Sequence, residues 1–524
     1  VPATQTPGIY VEEAPRGERR ITTPPTTLTA FVGRTLRGPV NEPVAVSNMD
    51  DFRRTFGDPW PASPMWACVN DYFENGGRAA LVVRVINGGR RVRLLLPAAD
   101  RGLQLEARSP GAMEWLRASV DYDNLDPADG QSFNLVLQRV DGPGSERVLA
   151  QEIYARLSVD PSSRRFAADA LLESELIMVR GPVPGIRPDR TIGPGPGAPV
   201  EWVEAERTGS DGGPLTNYDI IGSESDASGV FALNKVPYVH LVCIPAPNPE
   251  DGLGPAALLA ANRLCRQRRA MLVLDPPASC ATSSELVAYL ERLNFANENV
   301  IMTYPWIVGG GAAEESGAPR PSCGAVAGTL ARNDRSRDAW TPWAAAPRLL
   351  RGRARPARLI APRDAERLNR LGVNVLRETA GGRVLLLGER TLAGSGCATS
   401  AYQSIRTRRL ALLIEEALRH GTRWVVFESP GPALRAQVRT LVEDFLGELE
   451  ALGAFVSGGG YPPYFVKCDA QTNPQGDDAR GTLHLLVGFA AVEPGDYLVF
   501  RVSQTVESAR VVPVSIDRFR FAGA

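Results

Sequence analysis

Hydrophobic spacing divides the chain into stretches of alternating period and one stretch of strands alone. From Val236 onward, short apolar runs alternate with segments at helical spacing. Val239 to Ile244, Met271 to Asp275 and Val300 to Tyr304 read as buried strands, and Pro255 to Arg269 and Thr282 to Asn297 read as helices, the second opened by a Thr282-Ser-Ser-Glu285 capping box. Strand, helix, strand in that order predicts right-handed crossovers and a largely parallel sheet. Arg358 to Ile360, Asn374-Val375 and Val384 to Leu387 add short strands. Beyond them Ile405, Leu412, Leu413 and Leu418 mark a helix closed at His420-Gly421, with Arg406, Arg408 and Arg409 interleaved. Trp424 to Phe427 reads as a buried strand. Leu434, Val438, Leu441, Phe445, Leu449 and Leu452 form one continuous helical face ended by Gly453, and Leu483 to Phe489 and Tyr497 to Val502 read as strands.

The first ninety residues show the same alternation. Leu28 to Gly33 is a strand, and Ser47 to Asp50 opens a short helix that Gly57 stops. Ser63-Pro64 opens a helix carrying Met65, Trp66, Val69, Tyr72 and Phe73, and Leu81 to Val85 is a strand. From Arg91 to about Ser225 the pattern changes. Leu103 to Arg108, Leu116 to Tyr122, Phe133 to Val140 and Val148 to Leu157 are strands between turn signals with no long helix, which predicts a β-rich insert. Gly181 to Gly185 and Gly193 to Gly197 make its end extended.

Both chain ends carry short strand-like runs. Ile9, Tyr10 and Val11 follow a Pro7-Gly8 turn and have no nearby hairpin partner. Such a run pairs with a distant strand of its own chain or with another molecule. Val511, Val512, Val514 and Ile516 make the last run.

Composition bounds the function classes. A chain of 524 residues calls for several domains, and 44% hydrophobic with 22% charged residues is ordinary for a globular protein. A net charge of −1 argues against bulk electrostatic binding of nucleic acid. No apolar run reaches the roughly 18 residues of a membrane-spanning helix. The N-terminus lacks the basic and apolar regions of a signal peptide, so synthesis and folding in the cytoplasm are expected. Only Lys235 and Lys467 among the 58 basic residues are lysine. A GC-rich genome accounts for that bias, and arginine also suits bidentate subunit contacts. The seven cysteines form no C-x-x-C pair, which reads as buried small hydrophobes in a reducing compartment.

The groups an enzyme requires do not assemble in the sequence. There is no Walker A loop and no G-x-G-x-x-G between a strand and a helix. Gly394 to Cys397 lacks the flanking glycines of a nucleophile elbow. His240, His420 and His484 are isolated, and Asp275 ends a strand beside Pro276 with no second acid, base or ligand readable nearby. Asp121, Asp123, Asp126 and Asp129 miss the spacing of a calcium loop. The expectation is therefore no catalytic residue, no metal and no cofactor.

Specific strings resemble the contractile tail sheath family of phages and phage-tail-like injection systems. Thr6-Pro-Gly-Ile-Tyr-Val-Glu12 resembles the segment that begins sheath chains. Asp51-Phe52, Phe56-Gly57, Tyr72-Phe73, Gly76-Gly77 and Val83-Arg-Val85 follow the sheath N-terminal pattern. Gly324-Ala-Val-Ala-Gly328 with Ala331-Arg-Asn-Asp334, Tyr402 to Arg409, Trp424 to Glu428 and Asn473 to Phe500 resemble later sheath segments. Two departures stand out: Arg320 to Cys323 replaces the usual start of its segment, and the Ile-Asn that usually precedes the helix is missing.

The resemblance implies an α/β fold with a discontinuous core. The expected division is an N-terminal arm at 1–25, core at 26–90, a β-rich outer insert at 91–225, core again at 226–504 and a C-terminal arm at 505–524. It implies a structural subunit that polymerises helically around an inner tube and contracts to drive the tube through a target envelope. The implied partners are further copies, the tube protein, and baseplate and terminal cap proteins, with no nucleic acid and no direct membrane insertion. Ile9, Tyr10, Val11, Val511, Val512, Val514 and Ile516 are then the inter-subunit arm residues, and Arg406, Arg408 and Arg409 a candidate tube-facing set. Thr22 to Pro25 and Ser503 to Ser508 are candidate hinges. The alternatives are a non-contractile tail or surface-layer protein and an α/β enzyme.

Overall fold

A computed structural model describes residues 19–22, 27–126, 128–192, 200–206, 208–309, 317–341, 348–394, 401–474, 481–505 and 508–514. It divides into two compact units, one formed by residues 26–405 and the other by 1–25 with 406–524.

Eight described strands of the larger unit form its central sheet. In spatial order they are β17 (Val384–Leu387), β16 (Val373–Glu378), β13 (Val300–Tyr304), β12 (Met271–Leu274), β11 (Leu241–Cys243), β1 (Thr29–Gly33), β3 (Ala80–Arg84) and β2 (Val44–Val46). The six inner strands are parallel, while β2 and β17 close the two edges antiparallel. The expected parallel sheet is therefore present. The inner strands read as unbroken apolar runs because both faces are covered.

Alternate residues serve the two faces. Ala30, Val32, Val242, Leu272 and Met302 pack under helices α5 (Pro255–Arg268), α6 (Ser283–Leu293) and α8 (Pro362–Arg370). On the opposite face Phe31 meets Tyr72 edge to face, ring centroids 5.5 Å apart. Tyr72 belongs to α2 (Met65–Glu74), which follows α1 (Met49–Phe56) and packs on α7 (Cys323–Arg337). The cap of α1 is Asn48, whose side chain accepts from the Asp51 amide, one residue on from the expected Ser47 pairing. Arg358 to Ile360 is not a strand. The short pair here is β14 (Ile307–Val308) with β15 (Arg355–Pro356).

The insert is a two-sheet β structure. One sheet has the order β10 (Val203–Glu204), β6 (Trp115–Asp121), β7 (Ser132–Val140), β8 (Val148–Ser158). The other has the order β4 (Arg91–Leu96), β5 (Leu103–Pro110), β9 (Ile177–Val179), and α3 (Ala167–Ala170) lies between β8 and β9 in sequence. Leu94, Leu103 and Leu105 from one sheet share a core with Leu116, Phe133 and Leu135 from the other. The insert returns earlier than expected. Arg90 and Ser210 exchange both backbone hydrogen bonds, and Gly213 donates to Asn87. By α4 (Asn217–Ile221) the chain is back on α5.

The smaller unit corrects two expectations. Residues 406–504 are not the far half of the α/β core: they group with the chain's ends, and their strands form a separate four-stranded antiparallel sheet, β18 (Tyr464–Lys467), β19 (Leu483–Ala490), β20 (Tyr497–Gln504), β21 (Ala509–Val514). Trp424 to Phe427 is not a strand but part of a 3-10 turn, Arg423–Phe427, between α9 (Ile405–Gly421) and α10 (Pro432–Ala451). Its four apolar residues are not buried together, since Val425 is buried and Phe427 is 85% exposed. The face of α10 read from the sequence is correct through Leu449, and Gly453 follows its end at φ +77°. Among the described residues, no helix is long and apolar enough to cross a membrane.

Candidate subunit interface

The last described strand is where Val511, Val512 and Val514 lie. β21 pairs antiparallel with β20 of the same chain, placing Val511 opposite Val502, Val512 opposite Arg501 and Val514 opposite Val499. The turn between the strands is pinned by the amides of Thr505 and Ser508, each donating to the other's carbonyl. Within the expected hinge, Ser503 and Gln504 therefore end β20 and Thr505 is bonded to Ser508, while residues 506 and 507 lie outside the described residues. The alternation along β21 is that of a half-covered strand: Val511 is 8% exposed and Val512 52%. Val514 packs against Leu486, Tyr497 and Val499. The expected arm over 511–514 is thus the edge strand of the chain's own sheet. Pro513 has no N–H to donate, which an edge position tolerates. Among the described residues no strand lies beyond β21. Ile9, Tyr10, Val11 and Ile516 lie outside the described residues.

The arginine stretch on α9 does not form an open basic face. Arg408 and Arg409 are buried, and Arg408 reaches Glu415 at 3.5 Å, with Glu415 and Glu416 buried as well. Arg406 is half-buried. Helix α9 is covered nearly all round, and within it Arg408 is paired to Glu415 of the same helix. Sequence spacing alone did not distinguish a helix covered on all sides from one with a polar face.

The carboxyl ends of the parallel strands are where α/β folds bind ligands. Asp275, just past β12, lies half-buried there. Its carboxylate accepts from the Ser322 amide and hydroxyl, both at 2.7 Å, and from the Cys323 amide at 3.1 Å. These are the unpaired donors at the start of α7, so Asp275 caps that helix. Burial pushes its carboxyl above the ordinary range, against the hydrogen bonds that pull it down. Thr303 bonds the Ser322 hydroxyl at 2.8 Å, and the surrounding Cys68, Cys243 and Cys323 thiols are buried and pushed up. Arg320 binds Asp71 of α2 through two hydrogen bonds, at 2.7 and 2.8 Å.

The histidines are dispersed. His240 Nδ1 accepts from the Leu28 amide, His420 lies against Glu416, and His484 pairs with Ser503. No group of three metal-ligating side chains occurs among the described residues. Ser395 to Cys397 lie outside them. What the strand ends bring together is a set of helix caps and ion pairs.

Sequence reasoning missed a buried arginine at the root of the insert. Arg84 ends β3 and donates from Nη1 to the carbonyls of Gly38 and Pro110, at 2.8 and 2.7 Å. Burial pulls it down to about 10. Pro110 ends β5 of the insert, so one guanidinium ties insert, loop and central sheet together. Nothing in a lone Val-Arg-Val string signals this.

Residues 215–392 match the family model described as the phage tail sheath protein central domain. A comparison with curated proteins yields no match. Among solved structures, the chain is similar to a sheath tail protein from Listeria innocua, with 13% identity over 94% of this chain and 97% of that one and a TM-score of 0.62. It is also similar to the sheath of an extracellular contractile injection system, PVC, in the contracted state, with 16% identity, coverage of 97% and 99% and a TM-score of 0.56. The contracted helical sheath of the anti-feeding prophage gives 15% identity, coverage of 95% and 98% and a TM-score of 0.55. At these identities the likeness is one of fold, and it extends over nearly the whole chain.

Proposed function

We propose that this chain, which carries the tail-sheath fold, is a structural subunit that polymerises helically around an inner tube and contracts to drive that tube forward. The observation that carries the reading is the extent of the likeness: both units and the insert fall within a match covering 94% or more of the chain, to subunits that include two contracted sheaths. A two-state polymer needs bodies that move without deforming and connections that survive the movement. The eight-stranded sheet, covered on both faces, suits the first role.

The second role falls to main-chain pairing. In this reading Ile9, Tyr10 and Val11 add to an exposed sheet edge of a neighbouring copy, and the outer edge of β21 is the described edge nearest the C-terminus that can accept such a strand. Thr22 to Pro25, of which residues 23–25 lie outside the described residues, is then the hinge between the N-terminal segment and the chain leading into β1. The tube is gripped by a surface other than Arg408 and Arg409, which are buried. Baseplate and cap proteins are the expected partners at the ends of the polymer, and assembly occurs in a tail or injection particle.

Negative-stain microscopy of the purified full chain tests the proposal. Wide tubes with cogwheel cross-sections are expected. Thin tubes, flat sheets or monomers at every concentration overturn it. Deleting residues 1–13 should leave a folded monomer that forms no tubes, and tubes of normal length from that truncation refute the arm.

A further inference from the structure

We infer that Arg19, Arg20 and Ile21 form a fixed root that fastens the N-terminal segment to the C-terminal unit, so that a pull on that segment is borne by α9 and α10 before it reaches the chain leading into β1. The inference rests on the proposed function for its mechanical meaning, but not for its structural content.

Three consecutive residues engage three different elements. The Arg19 guanidinium stacks on the Trp424 ring, 3.7 Å from its centroid, and donates to Glu428 at 2.5 Å. Stacking and a charge-assisted bond from one planar group suit arginine and not lysine. Arg20 pairs with Glu448 on α10. Ile21 is only 4% exposed and sits against Gly421 at the end of α9. A Cβ at Gly421 would lie 2.7 to 3.1 Å from three Ile21 atoms, so the seat exists because position 421 has no side chain.

A chain end lying loosely on a surface would not bury an isoleucine in a glycine notch beside a stacked arginine. The Trp424 turn that joins α9 to α10, unexplained as a strand, acquires a purpose as half of this clasp. The three contacts differ in chemistry. Ile21 is held by burial, Arg19 by a half-buried stack and ion pair, and Arg20 by an exposed pair that salt screens.

Amide hydrogen exchange on the full-length monomer tests the structural part. Exchange at the Thr422, Val425 and Glu428 amides, hydrogen-bonded in the turn that Arg19 stacks on, should be at least tenfold slower than the intrinsic rate and return toward it in Ile21→Ser and in Trp424→Leu. Intrinsic-rate exchange in the wild type, or protection unchanged in both variants, overturns the root. Exchange within α10 serves as the fold control, and Arg19→Met supplies a third variant that keeps the tryptophan. The mechanical part is read by microscopy of assembled tubes. The variants should form extended tubes of wild-type length that break into short pieces on contraction, and variant tubes that contract intact overturn it. A wild type that forms no tubes defeats the proposed function while leaving the exchange result standing.

Discussion

Asp71 of α2 pairs with Arg320, which lies just ahead of α7 in the segment bridged to Ile307, and removing the carboxylate is the sharpest test of how the helices on that face of the central sheet are held. Both side chains are buried, and the guanidinium gives Nε and Nη2 to the two carboxylate oxygens at 2.7 and 2.8 Å. Asp71→Ala leaves a buried cation whose Nη1 already lacks a hydrogen-bond partner. Breaking one side of such a pair costs about 3–5 kcal/mol. Asp71→Asn keeps the volume and one acceptor and loses the charge, at about 1.5–3 kcal/mol. Replacing both partners, as Asp71→Leu with Arg320→Met, removes the stranded charge and should return to within about 1 kcal/mol of the wild type. Equilibrium urea unfolding, with exchange at the Val242 and Val273 amides to assign the transition to the α/β unit, measures all three. A loss below about 1 kcal/mol in Asp71→Ala, or a double variant no more stable than Asp71→Ala, refutes the reasoning.

Three further outcomes follow from the same packing. Gly324→Ala should destabilise by roughly 1–3 kcal/mol or more, because its Cβ would stand 1.9 Å from the Cys68 carbonyl oxygen, while Gly142→Ala, with nothing within 4 Å, should change thermal unfolding little. Asp275 has its folded-state carboxyl raised by burial, so the stability it contributes is full below the ordinary carboxylate range and lost as pH rises through the raised value. Asp275→Asn should flatten that part of the stability–pH curve measured by denaturant titration. Val511→Lys should destabilise the smaller unit, whereas Val512→Lys should shift its unfolding midpoint by no more than about 0.5 kcal/mol, as expected of an exposed edge position.

The sequence made the α/β unit legible where both sheet faces are covered. Runs such as Met271 to Leu274 and Val300 to Tyr304 leave little choice but a buried strand, and the Thr282–Glu285 capping box fixes where α6 begins. The insert was legible as strands because turns punctuate it, though the point of its return was not, since that depends on backbone pairing between Arg90 and Ser210. Trp424 to Phe427 misled because four apolar residues in a row fit a strand and a 3-10 turn equally well. Arg408 and Arg409 misled because a helix carrying arginines looks solvated until Glu415 and Glu416 are seen buried beside them. Val511 and Val514 were recognisable as strand residues, but the partner of a strand is a long-range property, and here β20 supplies it. Arg84 was invisible for the same reason, since its partners are carbonyls 26 and 46 positions away.

The central claim is that copies of this chain form a sheath with two packings. Helical reconstruction of the assembled tubes before and after contraction tests it most directly. The account predicts two tubes of different length and width in which the eight-stranded unit superimposes as a rigid body while the contacts between copies change. A single packing under every condition, or a central sheet that itself deforms between the two, would contradict it.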